Sequence, residues 1–204
     1  MMKKSLGMLA AVGCLGVMGT ASAADCLLRV GVHSVNPNTS NTGAAKVDVA
    51  GAQQLSINGA CFVTPNLAID VLGALPFQHD IKLKNGPKVG STKHLPPTIG
   101  VQWHFAPTGS FDPYVGAGLN YTFFFSTNTT GALAGTRLDL GSSLGLAGQV
   151  GGDFHLANNW VVGVDIRYAQ IKSKAKLNGN PATVGDVTLD PMVYGLTIGK
   201  KFSL

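Results

Sequence analysis

A chain of 204 residues suits one domain and at most a short appendage, and with only 12% charged residues, every acidic one an Asp, it is a poor match to a soluble helix-rich enzyme. The formal charge of +5 loses two units with Lys3 and Lys4 of the leader, and the remaining +3 is too mild to argue for a nucleic-acid partner. The 27 glycines, about twice the usual share of roughly 7%, favour strands, turns and tight lumens over helices.

At the N-terminus, Lys3 and Lys4 form a basic region, Leu6 to Met18 an apolar stretch, and Ala21-Ser22-Ala23 an A-x-A site. Together they predict a cleaved secretory signal over residues 1–23 and a mature domain over 24–204. Lipidation at Cys14 is the weaker rival, because Ala11 is a poor residue three places before it and the apolar run ahead of it is short. Cleavage leaves Cys26 and Cys61, in a compartment that can oxidise them.

The mature chain has no apolar run of the 18 or more residues that a spanning helix needs. Alternation takes its place, in eight segments at about 26–35, 53–64, 67–79, 96–105, 113–125, 138–156, 159–172 and 187–202. In PYVGAGLNYTFFF, Val115, Ala117, Leu119, Tyr121, Phe123 and Phe125 share one face, against Tyr114, Gly116, Gly118, Asn120, Thr122 and Phe124. Trp160, Val162, Val164, Ile166 and Tyr168 likewise oppose Val161, Gly163, Asp165, Arg167 and Ala169. The connections at 64–66, 106–112 and 157–159 are short, whereas 36–52, 80–95, 126–137 and 173–186 are long and rich in Gly, Asn, Thr and Lys. Even strand number with short turns on one rim and long loops on the other predicts an all-β fold. Its form is an eight-stranded antiparallel transmembrane β-barrel with short periplasmic turns and long extracellular loops, set in the lipid bilayer of the cell outer membrane.

A soluble lipocalin-like barrel also has eight alternating strands, but its greasy face would be the interior. Aromatic placement separates the two. Trp160 and Tyr168 lie on the greasy face roughly 20 Å apart along the membrane normal, near the ~25 Å height of an apolar band with an aromatic girdle at each edge. With the first strand running outward, Tyr121, Phe123 and Phe125 reach the outer rim, and Trp103, Phe105, Phe154 and Phe202 the inner one. The opposite face carries Asp70, Asp139, Asp153, Asp165, Arg29, Arg167 and Lys201, too many charges for a dry soluble core.

The segments LPFQHDIKL, HLPPTIGVQWHF, DPYVGAGLNYTFFF, LGLAGQVGGDFHLANNW, VDIRYAQI and LDPMVYGLTIGKKF resemble, in order, the corresponding stretches of the OmpW family of outer-membrane proteins. The resemblance runs over nearly the whole mature chain. It implies a narrow, largely hydrophobic barrel that carries small apolar molecules across the lipopolysaccharide layer, with no cofactor and no enzyme activity. Members usually end on an aromatic residue that the outer-membrane assembly machinery recognises; here Ser203 and Leu204 follow Phe202, and Lys200 takes a place where an aromatic is expected.

Eight strands leave an interior that side chains nearly fill, which argues against an open aqueous channel. Strand direction places Arg29, Asp70, Asp153, Asp165 and Arg167, with His104, His155 and Lys201, toward the periplasm, where opposite charges can knit a plug. Higher up, the inward set is small or apolar: Leu72, Ala74, Pro76, Gly118, Thr122, Phe124, Ser143, Gly145 and Ala147. This gradient suggests a ligand pocket open to the outside and closed below. A closed floor requires another exit. Proline donates no ladder hydrogen bond, and a loop centred near 86 and 87 sets Pro76 opposite Pro96 and Pro97. Either the prolines weaken a seam through which an apolar solute leaves sideways, or they merely end the strands below a loop.

Other features are less specific. VGAGLN lacks the third glycine and the following helix of a dinucleotide fingerprint. His79, Asp80 and His94 gather near the outer rim, a divalent-metal arrangement in principle, although loop histidines are usually only solvated. Lys82, Lys84, Lys88, Lys93, Lys172, Lys174 and Lys176 form a basic collar suited to lipopolysaccharide phosphates. A hairpin centred near residue 44 sets Cys26 opposite Cys61, close enough for a disulfide. The runner-up function is a structural or adhesive barrel whose loops meet host, phage or toxin partners. An enzyme would need a convergent Ser, His and acid at the outer rim, and the sequence offers no such set.

Overall fold

The computed structural model describes residues 25–203, so the leader expected over residues 1–23 and the rival site at Cys14 lie outside the described residues. The strands are β1 (Asp25–Asn36), β2 (Ser40–Asn41), β3 (Val47–Val49), β4 (Ala52–Phe62), β5 (Leu67–Ala74), β6 (Phe77–Leu83), β7 (Lys88–Leu95) and β8 (Thr98–His104). They continue as β9 (Phe111–Thr129), β10 (Leu138–Leu140), β11 (Ser143–His155), β12 (Trp160–Ala169), β13 (Lys172–Leu177), β14 (Asn180–Thr188) and β15 (Met192–Ser203). Eight of them, β1, β4, β5, β8, β9, β11, β12 and β15, pair antiparallel in that order, and β15 returns to β1 from Asp25↔Ser203 to Asn36↔Met192. Closure gives every one of these staves a paired neighbour on both sides.

Period-two alternation decides which way each stave faces. On β1, Leu28, Val30 and Val32 are exposed while Leu27, Arg29 and His33 are buried; on β12, Trp160, Val164, Ile166 and Tyr168 are exposed against buried Val161, Asp165 and Arg167. A continuous belt of exposed Val, Leu, Ile and aromatic side chains around a polar interior suits only a lipid surround. Trp103, Phe105, Phe154 and Phe202 edge the belt toward the short turns and Tyr121 toward the other side. Lys200 points outward beside Trp160, its Nζ 5.8 Å from the ring centre, so its stem covers apolar surface while the ammonium reaches the rim.

The short turns need few special residues. At 157–159, Asn158 and Asn159 both take positive φ, which Asn tolerates better than most residues. Of the four long connections, in contrast, 80–95 and 173–186 are mostly paired strand, and 36–52 and 126–137 carry shorter paired stretches. β6, β7 and the upper part of β9 continue the barrel wall, with β3 beside β6, and β10, β13, β14 and β2 form a second sheet. Their alternation is real: Phe77, His79 and Ile81 turn inward and Gln78 and Lys82 outward, as Ile171, Ser173 and Ala175 oppose Lys172, Lys174 and Lys176. Asn178 and Gly179 supply the two positive φ values that a tight hairpin requires between β13 and β14. Because polar residues occupy the outer faces of β6 and β13, this tier stands beyond the lipid belt. Its inner faces meet in a core of Val47, Ile81, Val89, Ile171, Val184, Val187 and Leu189.

Asp139 departs from the expected lumen set. It lies on β10 in the outer sheet, half exposed, with its carboxylate accepting from Arg137 Nε at 2.8 Å. Parity counted back from β11 fails there because the chain breaks between Leu140 and Ser143 and joins a different sheet.

Candidate functional site: an ion-paired floor beneath two apolar chambers

Arg29, Asp70, Asp153, Asp165 and Arg167 all project into the lumen and are almost wholly buried. Such charges cost several kcal/mol each unless partners replace water, and here they do. Arg29 donates to Asn58 Oδ1 at 2.6 Å and, through Nε and Nη2, to both carboxylate oxygens of Asp153. Asp70 is the hub, accepting from Asn58 Nδ2 at 2.6 Å, Gln102 Nε2 at 2.9 Å, Arg167 Nη1 at 3.1 Å and Gln149 Nε2 at 3.2 Å. Arg167 Nε donates to Asp165 at 2.7 Å, and His33 Nε2 stands 3.3 Å from the same carboxylate. His104 bridges Gln102 and Asp112, at 3.2 and 2.7 Å. The network ties β1, β4, β5, β8, β9, β11 and β12 across the barrel as a floor.

His155 and Lys201 are not part of it. His155 Nδ1 bonds the Gly109 carbonyl in the neighbouring turn, and Lys201 pairs with Asp25 at the rim, its ammonium over the Phe62 ring.

Above the floor lies a chamber of about 40 Å³ lined by Leu72, Ala74, Phe77, Pro96, Thr98, Gly118 and Asn120, with Asp70 and Arg167 at its base. A second chamber, of about 50 Å³, is lined in the outer tier by Val47, Ile81, Phe124, Leu138, Val187 and Leu189. Val35, His94, Ile171 and Pro191 border both. At ~10–15 Å³ per water, each holds only a few waters, so a slender solute fits better than a bulky one. Gly118 is fixed by close approach, since a Cβ there would lie 2.3 Å from the Ile99 carbonyl oxygen.

The wall of the first chamber is interrupted. The β5–β8 ladder ends at Leu72↔Thr98, and pairing resumes only at Phe77↔His94 between β6 and β7. Across the interval each side holds its outer neighbour instead: Gly73 and Ala74 pair with β4, Leu75 N bonds Leu55 O, and Tyr121 N bonds Pro97 O. Pro76 and Pro97 do not face each other; they bracket the gap diagonally, because Pro97 falls level with Gly73 and Pro76 with His94 and Leu95. Ala74 and Pro96, on its two edges, line the chamber, whereas Pro76 and Pro97 do not.

Residues 22–202 match the model of the OmpW family. The chain is 40% identical over 192 residues to outer membrane protein W of Vibrio cholerae serotype O1, covering 87% of this chain and 88% of that one. It belongs to the OmpW family. Its structure superposes on the crystal structure of the outer membrane protein OprG from Pseudomonas aeruginosa with a TM-score of 0.81 at 30% identity, covering 89% of this chain and 97% of that one. A more distant relative, 25% identical over 194 residues (94% of this chain, 86% of that one), is the dibenzothiophene metabolism operon protein PahQ of Pseudomonas aeruginosa. The chain is accordingly an outer-membrane protein.

In this OmpW-family barrel, Cys26 and Cys61 are joined by a disulfide between β1 and β4, where the register sets them directly opposite. The trio of His79, Asp80 and His94 does not converge. The two imidazoles stack inside the wall, 4.7 Å between centres, while Asp80 turns outward to Lys88 at 2.7 Å, as strand parity requires. Among the described residues no cluster of three His, Cys, Asp or Glu side chains is placed to hold a metal. Counting charges alone misses the neutral members of the floor, Asn58, Gln102 and Gln149. Their signal was present, since each shares inward parity with the charged residues.

Proposed function

We propose that this barrel takes small apolar solutes from the cell surface into its two chambers and releases them sideways into the outer membrane through the gap between β5 and β8. What supports this reading is the combination of a floor of buried ion pairs with a break in the strand ladder beside the same chamber. A solute that enters from outside meets buried ion pairs below, which an apolar molecule cannot displace without stranding charge. Beside it lies a stretch of wall without a hydrogen-bond ladder. PahQ, named for dibenzothiophene metabolism, adds support for the apolar character of the solute, because dibenzothiophene is an apolar molecule. Residues 1–23 serve in this reading as the leader that delivers the chain, the assembly machinery as the partner that folds it, and the barrel itself carries out no catalysis.

The exposed lysines of β6, β7 and β13 favour a second, compatible role at the surface, contact with lipopolysaccharide phosphates. Pro76→Val with Pro97→Val would restore two backbone donors beside the gap. Uptake of an apolar solute should then fall several-fold in cells; unchanged uptake with normal surface levels would refute sideways release.

A further inference from the structure

The two chambers meet at a column of rings that is apolar except for its nitrogens. His94 stacks on Phe77 at 5.5 Å and on His79 at 4.7 Å, with Phe124 tilted against it at 5.8 Å. Both histidines are at least nine-tenths buried, His79 at 1% and His94 at 2% exposure. Among the described residues neither nitrogen of His94 has a hydrogen-bond partner, nor has Nε2 of His79. An unpaired buried polar atom is costly, and here three of them border cavities that the fold leaves open.

Their chemistry is specific. Nδ1 of His79 lies 2.6 Å from the Ala50 carbonyl, which can only accept, so that nitrogen carries the proton. In the neutral ring Nε2 is then a bare acceptor and requires a donor. Neutral His94 offers one N–H and one lone pair. No carboxylate contacts either ring, since Asp80 faces outward to Lys88. A hydrocarbon satisfies none of these atoms. A ketone or ester satisfies only the His94 N–H. A hydroxyl group satisfies a donor and an acceptor at once.

We propose that His79 and His94 form a recognition site for uncharged, hydroxyl-bearing alkyl solutes, whose O–H donates to His79 Nε2 and whose oxygen accepts from His94 while the chain lies in the apolar chambers. This rests on the conduit reading above and narrows it, from apolar molecules in general to slender amphiphiles with one O–H, such as primary alcohols and undissociated carboxylic acids.

The test uses the whole mature chain, ¹⁵N-labelled at histidine and reconstituted in lipid nanodiscs, titrated separately with 1-decanol, 2-decanone and decane. The Nε2 resonance of His79 should move from the bare toward the hydrogen-bonded position with 1-decanol and stay in place with the other two. His79→Phe, which keeps the ring stack, should weaken 1-decanol binding by about tenfold, the value of one hydrogen bond at the upper end of its usual range. Equal responses to decanol and decane would overturn the site, as would an Nε2 already hydrogen-bonded to water and unmoved by decanol. Decane uptake by cells carrying wild type and His79→Phe separates the two levels. Uptake retained by a variant that still binds decanol as wild type does refutes this site alone, and absence of decane uptake by wild type refutes the conduit while the titration still reports on the histidines.

Discussion

At the scale of single residues, the lumen and the surface give opposite answers to the same substitution. Arg167 is buried between Asp70 and Asp165, whereas Arg137 lies in solvent beside Asp139. Arg167→Ala leaves two buried carboxylates without their guanidinium partner and should destabilise the barrel by about 3–5 kcal/mol, while Arg137→Ala should cost about 0–1 kcal/mol. Urea unfolding in lipid vesicles measures both, and equal effects would mean that the floor is hydrated. His94 supplies a pH-dependent counterpart in the outer tier. Burial, with His79 alongside, pushes it from its ordinary 6.5 down to about 3. The unfolded chain therefore binds a proton that the folded one refuses, and stability should fall as pH drops from about 6.5 toward 3. Thermal unfolding at pH 7 and pH 4.5 should show this loss, and His94→Phe should reduce it.

At the scale of the element, strand pairing turns small residues into fixed points. A Cβ on Gly118 meets the Ile99 carbonyl oxygen at 2.3 Å, but one on Gly59 meets nothing within 4 Å. Gly118→Val should therefore cost at least about 1–3 kcal/mol as an overpacked site, and Gly59→Ala should stay within about 0.5 kcal/mol; urea midpoints of the two variants check the contrast. The same elements show what was legible beforehand. Staves such as β12 declare their two faces in the sequence, because lipid and a charged lumen demand opposite residues at every step. The outer tier was less legible. Its strands alternate as well, but their Lys, Asn and Gly content matches that of solvated loops, and nothing local reveals that Ile81 shares a core with Val187 and Leu189, more than a hundred residues away. The proline gap was legible as a weakness and not in its geometry, since the β5–β8 and β6–β7 ladders, through Leu72↔Thr98 and Phe77↔His94, both set Pro76 two to three residues short of Pro97.

At the scale of the whole molecule, buried ion pairs cross the lumen on the periplasmic side, and the ladder between β5 and β8 stops short of the outer tier. Side chains from seven staves form the floor, and the disulfide between Cys26 and Cys61 holds two staves together below it. The upper half is lined by small and apolar residues and roofed by an apolar tier, so a solute path that turns sideways requires no broken ion pair. The most direct measurement of that path is a reversible lock. Ala74→Cys and Pro96→Cys, on opposite edges of the gap, are joined by a short photocleavable bis-maleimide, and uptake of an apolar solute is followed in the same cells before and after illumination. Sideways release predicts that uptake falls about tenfold or more when the edges are joined and recovers when the linker is cut. Uptake that continues unchanged through a cross-linked wall would contradict it.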